Sequence, residues 1–177
     1  MLFRSWHRLD LVLEVMQRPG FELLCLVLIG QGPALAPLLA AAAAAGLGAR
    51  VRSLGVVPAP LLPSHVLAAD AALVPAINAY ASPLKLFDSL AAGVPTLAPD
   101  QPNLRENVHH GENGLLFAKD SADGLAEQLG RLLADRGFAR RLGQAGRDSL
   151  LANGWTWAGN AARVVQVFEQ LVEGGRA

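Results

Sequence analysis

Charge is scarce in this sequence, and what there is cancels. Asp, Glu, Lys and Arg make up 17% of the 177 residues, and 15 bases face 15 acids. A nucleic-acid binder carries a basic excess or a basic stripe, so no nucleic-acid partner is expected. Cysteine occurs once, as Cys25 inside an apolar run, which excludes a disulfide framework and a Cys-rich metal centre. A reducing cytoplasm suits that usage. Histidine is nearly as rare: His7, His65, His109 and His110 fall at no metal-ligand spacing, so no metal site is expected. The Gly-x-Ser-x-Gly elbow of serine hydrolases is missing. Residues 1–18 carry charges throughout and hold no apolar h-region, so no cleavable signal peptide is expected. Charge is also missing from residues 23–49, long enough to cross a bilayer, but Gly30-Gln31-Gly32-Pro33 and Pro37 interrupt the stretch. It reads as strand, loop and helix.

Apolar residues are abundant instead, at 52%, enough for one domain to bury a sizeable core. Patterning and breakers predict helices over 9–16, 34–45, 64–68, 83–92 and 104–108. They predict strands over 23–29, 51–54, 71–74, 96–98 and 114–117, the first of them fully buried. After Phe117 the signals are helical throughout: about 121–133, 137–151 and 157–172. Strands alternating with helices imply an α/β fold, a Rossmann-like doubly wound parallel sheet flanked by helices, with a helical C-terminal tail. Such a sheet opens with a strand, yet only Met1-Leu2-Phe3 precede the polar loop Arg4 to Arg8. The expectation is one domain over 1–177, with a truncated first strand and a preceding domain missing.

Ligands of such sheets sit beyond the carboxyl ends of the strands, near helix N-termini that favour phosphate. Arg4 to Arg8, Gly30 to Pro33 and Asn78 to Lys85 meet that description. Lys85, in a helix's first turn, adds a full positive charge. Asp88, three residues on and on the same face, can accept from a ribose diol; the pair reads equally well as a solvated i,i+3 couple. The Gly30–Pro33 loop lacks the third glycine of a dinucleotide fingerprint, since residue 35 is Leu, and no acid follows at the ribose position. Its glycines still allow close backbone approach. Trp155 and Trp157 read as packing anchors rather than a sugar platform.

Taken in order, several segments resemble the donor half of retaining glycosyltransferases of the family-four type, which have the two-domain GT-B architecture. Leu26 to Pro33 looks like that family's strand and GxGP loop, and Leu54-Gly55-Val56-Val57 like its F-x-G-x-V segment. Ala69 to Pro75 is similar to its ADv-vvPS strand, and Leu90-Ala91-Ala92-Gly93-Val94-Pro95 to its mAaGvP turn. Arg105 to Val108 with Gly111-Glu112-Asn113-Gly114 resembles xE-v-v-x-GeNG, and Trp155-Thr156-Trp157 the fsW before the last helix. The resemblance implies a domain that binds a nucleoside-diphosphate sugar, a UDP- or GDP-sugar, for retaining glycosyl transfer.

The family's Glu-x7-Glu pair falls on Tyr80 and Asp88. Asp88 would hold the ribose hydroxyls; Tyr80 replaces the acid that touches the donor sugar. Ser82, Pro83, Leu84 and Lys85 resemble a subgroup's SPLK segment, whose Ser, Lys and backbone N–H groups would bind the diphosphate. The family's Arg/Lys pair corresponds most nearly to Arg4 and His7. Gly30 and Gly32 would let their loop approach the donor, Val56 and Val57 would meet the base, and Glu106 would lie at the rim. By this reading Lys85, Asp88 and Tyr80 are the catalytic set, and an acceptor-binding N-terminal domain is the partner. A cytoplasmic place at the inner face of the membrane would follow, and an uncovered apolar face could drive self-association. Half of a nucleotide-sugar 2-epimerase, or a non-catalytic nucleotide-sugar-binding module, stay open as alternatives.

Overall fold

The computed structural model describes residues 3–82 and 84–174. Among the described residues five α-helices and five strands alternate up to Phe117, as the patterning predicts, and three α-helices follow. In order they are α1 (Leu9–Met16), β1 (Leu26–Ile29), α2 (Leu35–Ala44), β2 (Val51–Gly55), α3 (Leu62–Leu67) and β3 (Ala72–Leu73). Next come α4 (Leu84–Ala91), β4 (Thr96–Pro99), α5 (Pro102–Arg105), β5 (Leu115–Phe117), α6 (Ala122–Ala134), α7 (Arg136–Ala152) and α8 (Trp157–Gly174).

All the pairing is parallel. β1 pairs with β2, and β3, β4 and β5 form a second hydrogen-bonded set in that order. Phe3 joins the first set: its N–H donates to Gln31 O at 2.7 Å, and its carbonyl accepts from Ala34 N–H at 3.3 Å. Met1 and Leu2, on which the short-first-strand expectation also rests, lie outside the described residues.

The β3-β4-β5 set shows why helices must cover both faces. Successive strand residues point to opposite sides. Leu97, Leu115 and Phe117 enter a core shared with α1, α2, α6 and the start of α7. Val74, Ala98 and Leu116 enter a second core with Leu86 and Leu90 of α4, Leu104, Val108 and Leu150. Every residue of β4 is buried. The β1–β2 pair differs from the expected fully buried strand. Leu28 is buried, but Val27 is half exposed, as is Leu54. Among the described residues no helix covers that face.

Two glycines set the position of α4. A Cβ on Gly143 of α7 would overlap the Gly93 carbonyl oxygen and lie 3.0 Å from Pro95 N. One on Gly146 would lie 2.8 Å from Leu90 Cδ2 and 2.9 Å from Asn113 O. Helix α7 therefore lies directly on the turn that joins α4 to β4. Ser89 and Thr96 lock the same junction with a buried hydroxyl pair at 2.9 Å.

Beyond α7 the packing stops. Trp155 is half-buried and meets Phe87 edge-on, with ring centroids 5.7 Å apart, as a packing anchor should. Trp157 does not share that role: it is 87% exposed, because it opens a helix with no buried residue. No helix in the described residues is long and apolar enough to cross a membrane.

Candidate functional site

Helix α4 begins at Leu84, so Lys85 stands in its first turn with Asp88 one turn on. Its inner face, Leu86, Ser89 and Leu90, is buried, which leaves Lys85 and Asp88 on the outer flank. Lys85 is half-buried, and burial pushes its ammonium down from 10.5 to about 8. The solvated ion-pair reading does not hold: among the described residues no acid lies in salt-bridge reach of Lys85. Asp88 reaches solvent, yet its partial burial raises its carboxyl. Each charge bears a cost that a countercharge would relieve.

The 3-10 turn Ser5–His7 brings His7 within electrostatic range of Lys85. His7 is lowered from its ordinary value by burial first and by the Lys85 ammonium second. The Lys85 charge is therefore felt at His7, although their elements are far apart in sequence. Arg4 N–H donates to His7 Nδ1, 3.0 Å away, which favours the neutral ring. Neutral His7 then carries its proton on Nε2, which makes that nitrogen a donor. Arg4 itself is exposed, with its guanidinium 5.7 Å from the Trp6 ring centre.

The other predicted residues are placed as follows. Gly30 and Gly32 adopt φ of 128° and 153°. Gly30 N–H donates to Gly55 O at 2.6 Å. A Cβ on Gly32 would overlap the N and O atoms of Phe3 and lie 2.9 Å from its carbonyl carbon, so this glycine makes room for the Phe3 backbone. Val56 and Val57 follow β2 directly, with Val56 67% exposed. Tyr80 is 88% exposed, and its hydroxyl accepts from Asn78 Nδ2 at 3.2 Å. Ser82 and Leu84 are exposed beside Lys85, and Glu106 is exposed at the end of α5. Pro83 lies outside the described residues. One surface concavity among the described residues is lined by Arg4, Trp6 and Leu9 and another by Asp100, Arg105 and Glu112; neither of these includes Lys85 or Asp88.

The sequence reading passed over Gln101 and Asn103. Both start the segment after β4, and both donate into the loop ahead of α4. Gln101 Nε2 reaches Ile77 O at 3.3 Å; Asn103 Nδ2 reaches Asn78 O at 3.2 Å and Ala81 O at 2.6 Å. Polar residues beside a proline read as an ordinary helix start, so no local signal marked them.

The family model for glycosyl transferases group 1 matches residues 3–149. The chain belongs to this family. A GDP-mannose-dependent alpha-(1-6)-phosphatidylinositol monomannoside mannosyltransferase of Mycobacterium tuberculosis is 32% identical over 145 residues, 78% of this chain and 37% of that protein. A D-inositol 3-phosphate glycosyltransferase of Nocardia farcinica is 33% identical over 131 residues, 74% of this chain and 28% of that protein. Among solved structures, sucrose-phosphate synthase from Thermosynechococcus elongatus superposes with a TM-score of 0.84 at 26% identity, over 98% of this chain and 44% of that one. Anabaena HepE, solved in complex with UDP, superposes with a TM-score of 0.77 at 18% identity, over 98% of this chain and 46% of that one; this likeness shows the fold. The group 1 chain described here thus spans less than half the length of these relatives. The α/β architecture expected from the patterning is the one these glycosyltransferases share.

Proposed function

We propose that these residues form the donor-binding domain of a retaining glycosyltransferase, with the nucleotide-sugar diphosphate held between the His7 turn and the first turn of α4. The observation that carries this reading is the half-buried Lys85 in the first turn of α4, with no acid in salt-bridge reach among the described residues. This lysine stands at the N-terminal end of a helix, where backbone dipoles add to its charge. In transfer, the bond from the anomeric carbon to a diphosphate oxygen breaks, an acceptor hydroxyl oxygen bonds to that carbon on the same face, and its proton passes to the departing diphosphate. The leaving diphosphate gains negative charge as the bond breaks. Lys85, His7 Nε2–H and the α4 dipole stabilise that charge. Asp88 accepts from the ribose hydroxyls, Val56 and Val57 border the base, and Tyr80, Ser82, Leu84, Arg4 and Glu106 line the approach.

The sugar and base follow from relatives by proposal. The mannosyltransferase relatives are named as GDP-mannose-dependent, and the HepE complex contains UDP, so both nucleotides are candidates. An acceptor-binding domain, in the same polypeptide or a separate one, completes the enzyme in this reading. It would cover the exposed Trp157, Val164, Phe168 and Leu171 of α8, a face that otherwise favours self-association. Activity at the inner face of a membrane belongs to the same proposal.

Calorimetric titration with UDP and GDP tests it, repeated on Lys85→Ala and Asp88→Ala. The expected result is saturable binding of one nucleotide, weakened by about 1–3 kcal/mol on loss of either contact. A folded chain that binds neither nucleotide would overturn the proposal.

A further inference from the structure

We infer that Gln101 and Asn103 form an amide clamp that positions the diphosphate-binding loop of the donor site. This deepens the proposed function and rests on it. The loop is the segment between β3 and α4, residues 77–82, which delivers the chain to Lys85. It has no regular structure, so its backbone groups need partners from elsewhere.

The partners are distributed one-sidedly. Three of its carbonyls, those of Ile77, Asn78 and Ala81, accept from the Gln101 and Asn103 side-chain amides. Of its N–H groups, Ala81 donates to Asn78 O at 3.1 Å. The N–H groups of Ile77, Asn78, Ala79, Tyr80 and Ser82 donate to no protein acceptor among the described residues. A loop with half of its carbonyls occupied from the protein side and all but one of its N–H groups left over suits an anion. It leads straight to Lys85.

The amide orientations are not arbitrary. Asn103 Nδ2 is fixed by two carbonyls, so its Oδ1 faces the other way; Oδ1 is buried and has no donor among the described residues. The same holds for Oε1 of Gln101, a side chain 4% exposed. Burying an unpartnered acceptor is unfavourable, and an apolar side chain of similar size would avoid it. Such a side chain could not hold the loop carbonyls. The two amides therefore serve the loop rather than the core. They are positioning residues: they touch the loop, and the loop touches the phosphates.

Asn103→Asp tests this. It keeps the size but sets a carboxylate against the carbonyls of Asn78 and Ala81. The 177-residue chain is titrated with UDP and with uridine, or with GDP and guanosine if those are the ligands, and its fold is checked by circular dichroism and thermal melting. The clamp predicts diphosphate affinity at least tenfold weaker, nucleoside affinity within twofold, and faster amide hydrogen exchange across 77–82. Equal losses for nucleotide and nucleoside would show a merely structural role and overturn the clamp, as would unchanged nucleotide affinity. If Asn103→Asp does not fold, Asn103→Ala and Gln101→Met carry the same comparison. Absence of nucleotide binding by the unmutated chain would sink the donor-site proposal and the clamp with it. Binding that is normal there and lost selectively in the variant separates the two.

Discussion

Raising the pH should release the nucleotide, because Lys85 has been brought within reach of titration. Its ammonium stands at about 8 in the free chain, pushed down by burial alone. A bound diphosphate is the countercharge it lacks, so binding must raise that value. Below pH 8 Lys85 is charged whether ligand is present or not, and affinity is at its full value. Above pH 8 the free chain loses the proton while the complex keeps it, and binding has to recover it from solvent. If the ligand restores Lys85 to its ordinary 10.5, the association constant falls about tenfold between pH 7 and pH 9. The terminal phosphate, with its second pKa near 6, is fully ionised across that window and does not contribute. Titration calorimetry in buffers of different ionisation enthalpy should show about half a proton taken up per nucleotide at pH 8. Lys85→Arg is the control, since a guanidinium stays charged throughout. Its affinity should be flat from pH 7 to pH 9. A wild-type profile equally flat, or the same decline in Lys85→Arg, would refute the placement of the diphosphate on this lysine.

The remaining predictions concern how the site is held in place. Gly32→Ala would drive a methyl into the Phe3 backbone, so thermal denaturation should show a loss of about 1–3 kcal/mol. Gly143→Ala would push α7 off the Gly93–Pro95 turn; it should destabilise by at least as much and also weaken nucleotide binding, because α4 moves with the turn. Leu86→Ala empties a fully buried position beneath Lys85 and should cost about 2–5 kcal/mol by denaturant titration.

How much of this was legible depends on which forces acted locally. The 9–16 helix has the predicted bounds, since its apolar spacing alone decides which face is buried. The N-terminal end of α6 was equally plain: Ser121 caps it by accepting from Gly124 N–H at 3.0 Å. The burial of β1 was misjudged because an apolar run records what a strand can tolerate, not how many faces are covered. Trp157 was misjudged for the related reason that its helix packs on nothing described here. The site divided along the same line. Lys85 and Asp88 stood out because their spacing on one helix is a local property. The effect of the Lys85 charge on His7 is not, because it depends on the fold bringing the first segment near α4. Gln101 and Asn103 were invisible for a sharper reason. Their partners are carbonyl groups, which every residue possesses, so no side-chain pattern could announce them. Backbone recognition of a phosphate is silent in a sequence in the same way. The residues that support such a loop can be found only after the fold shows which backbone atoms are already taken.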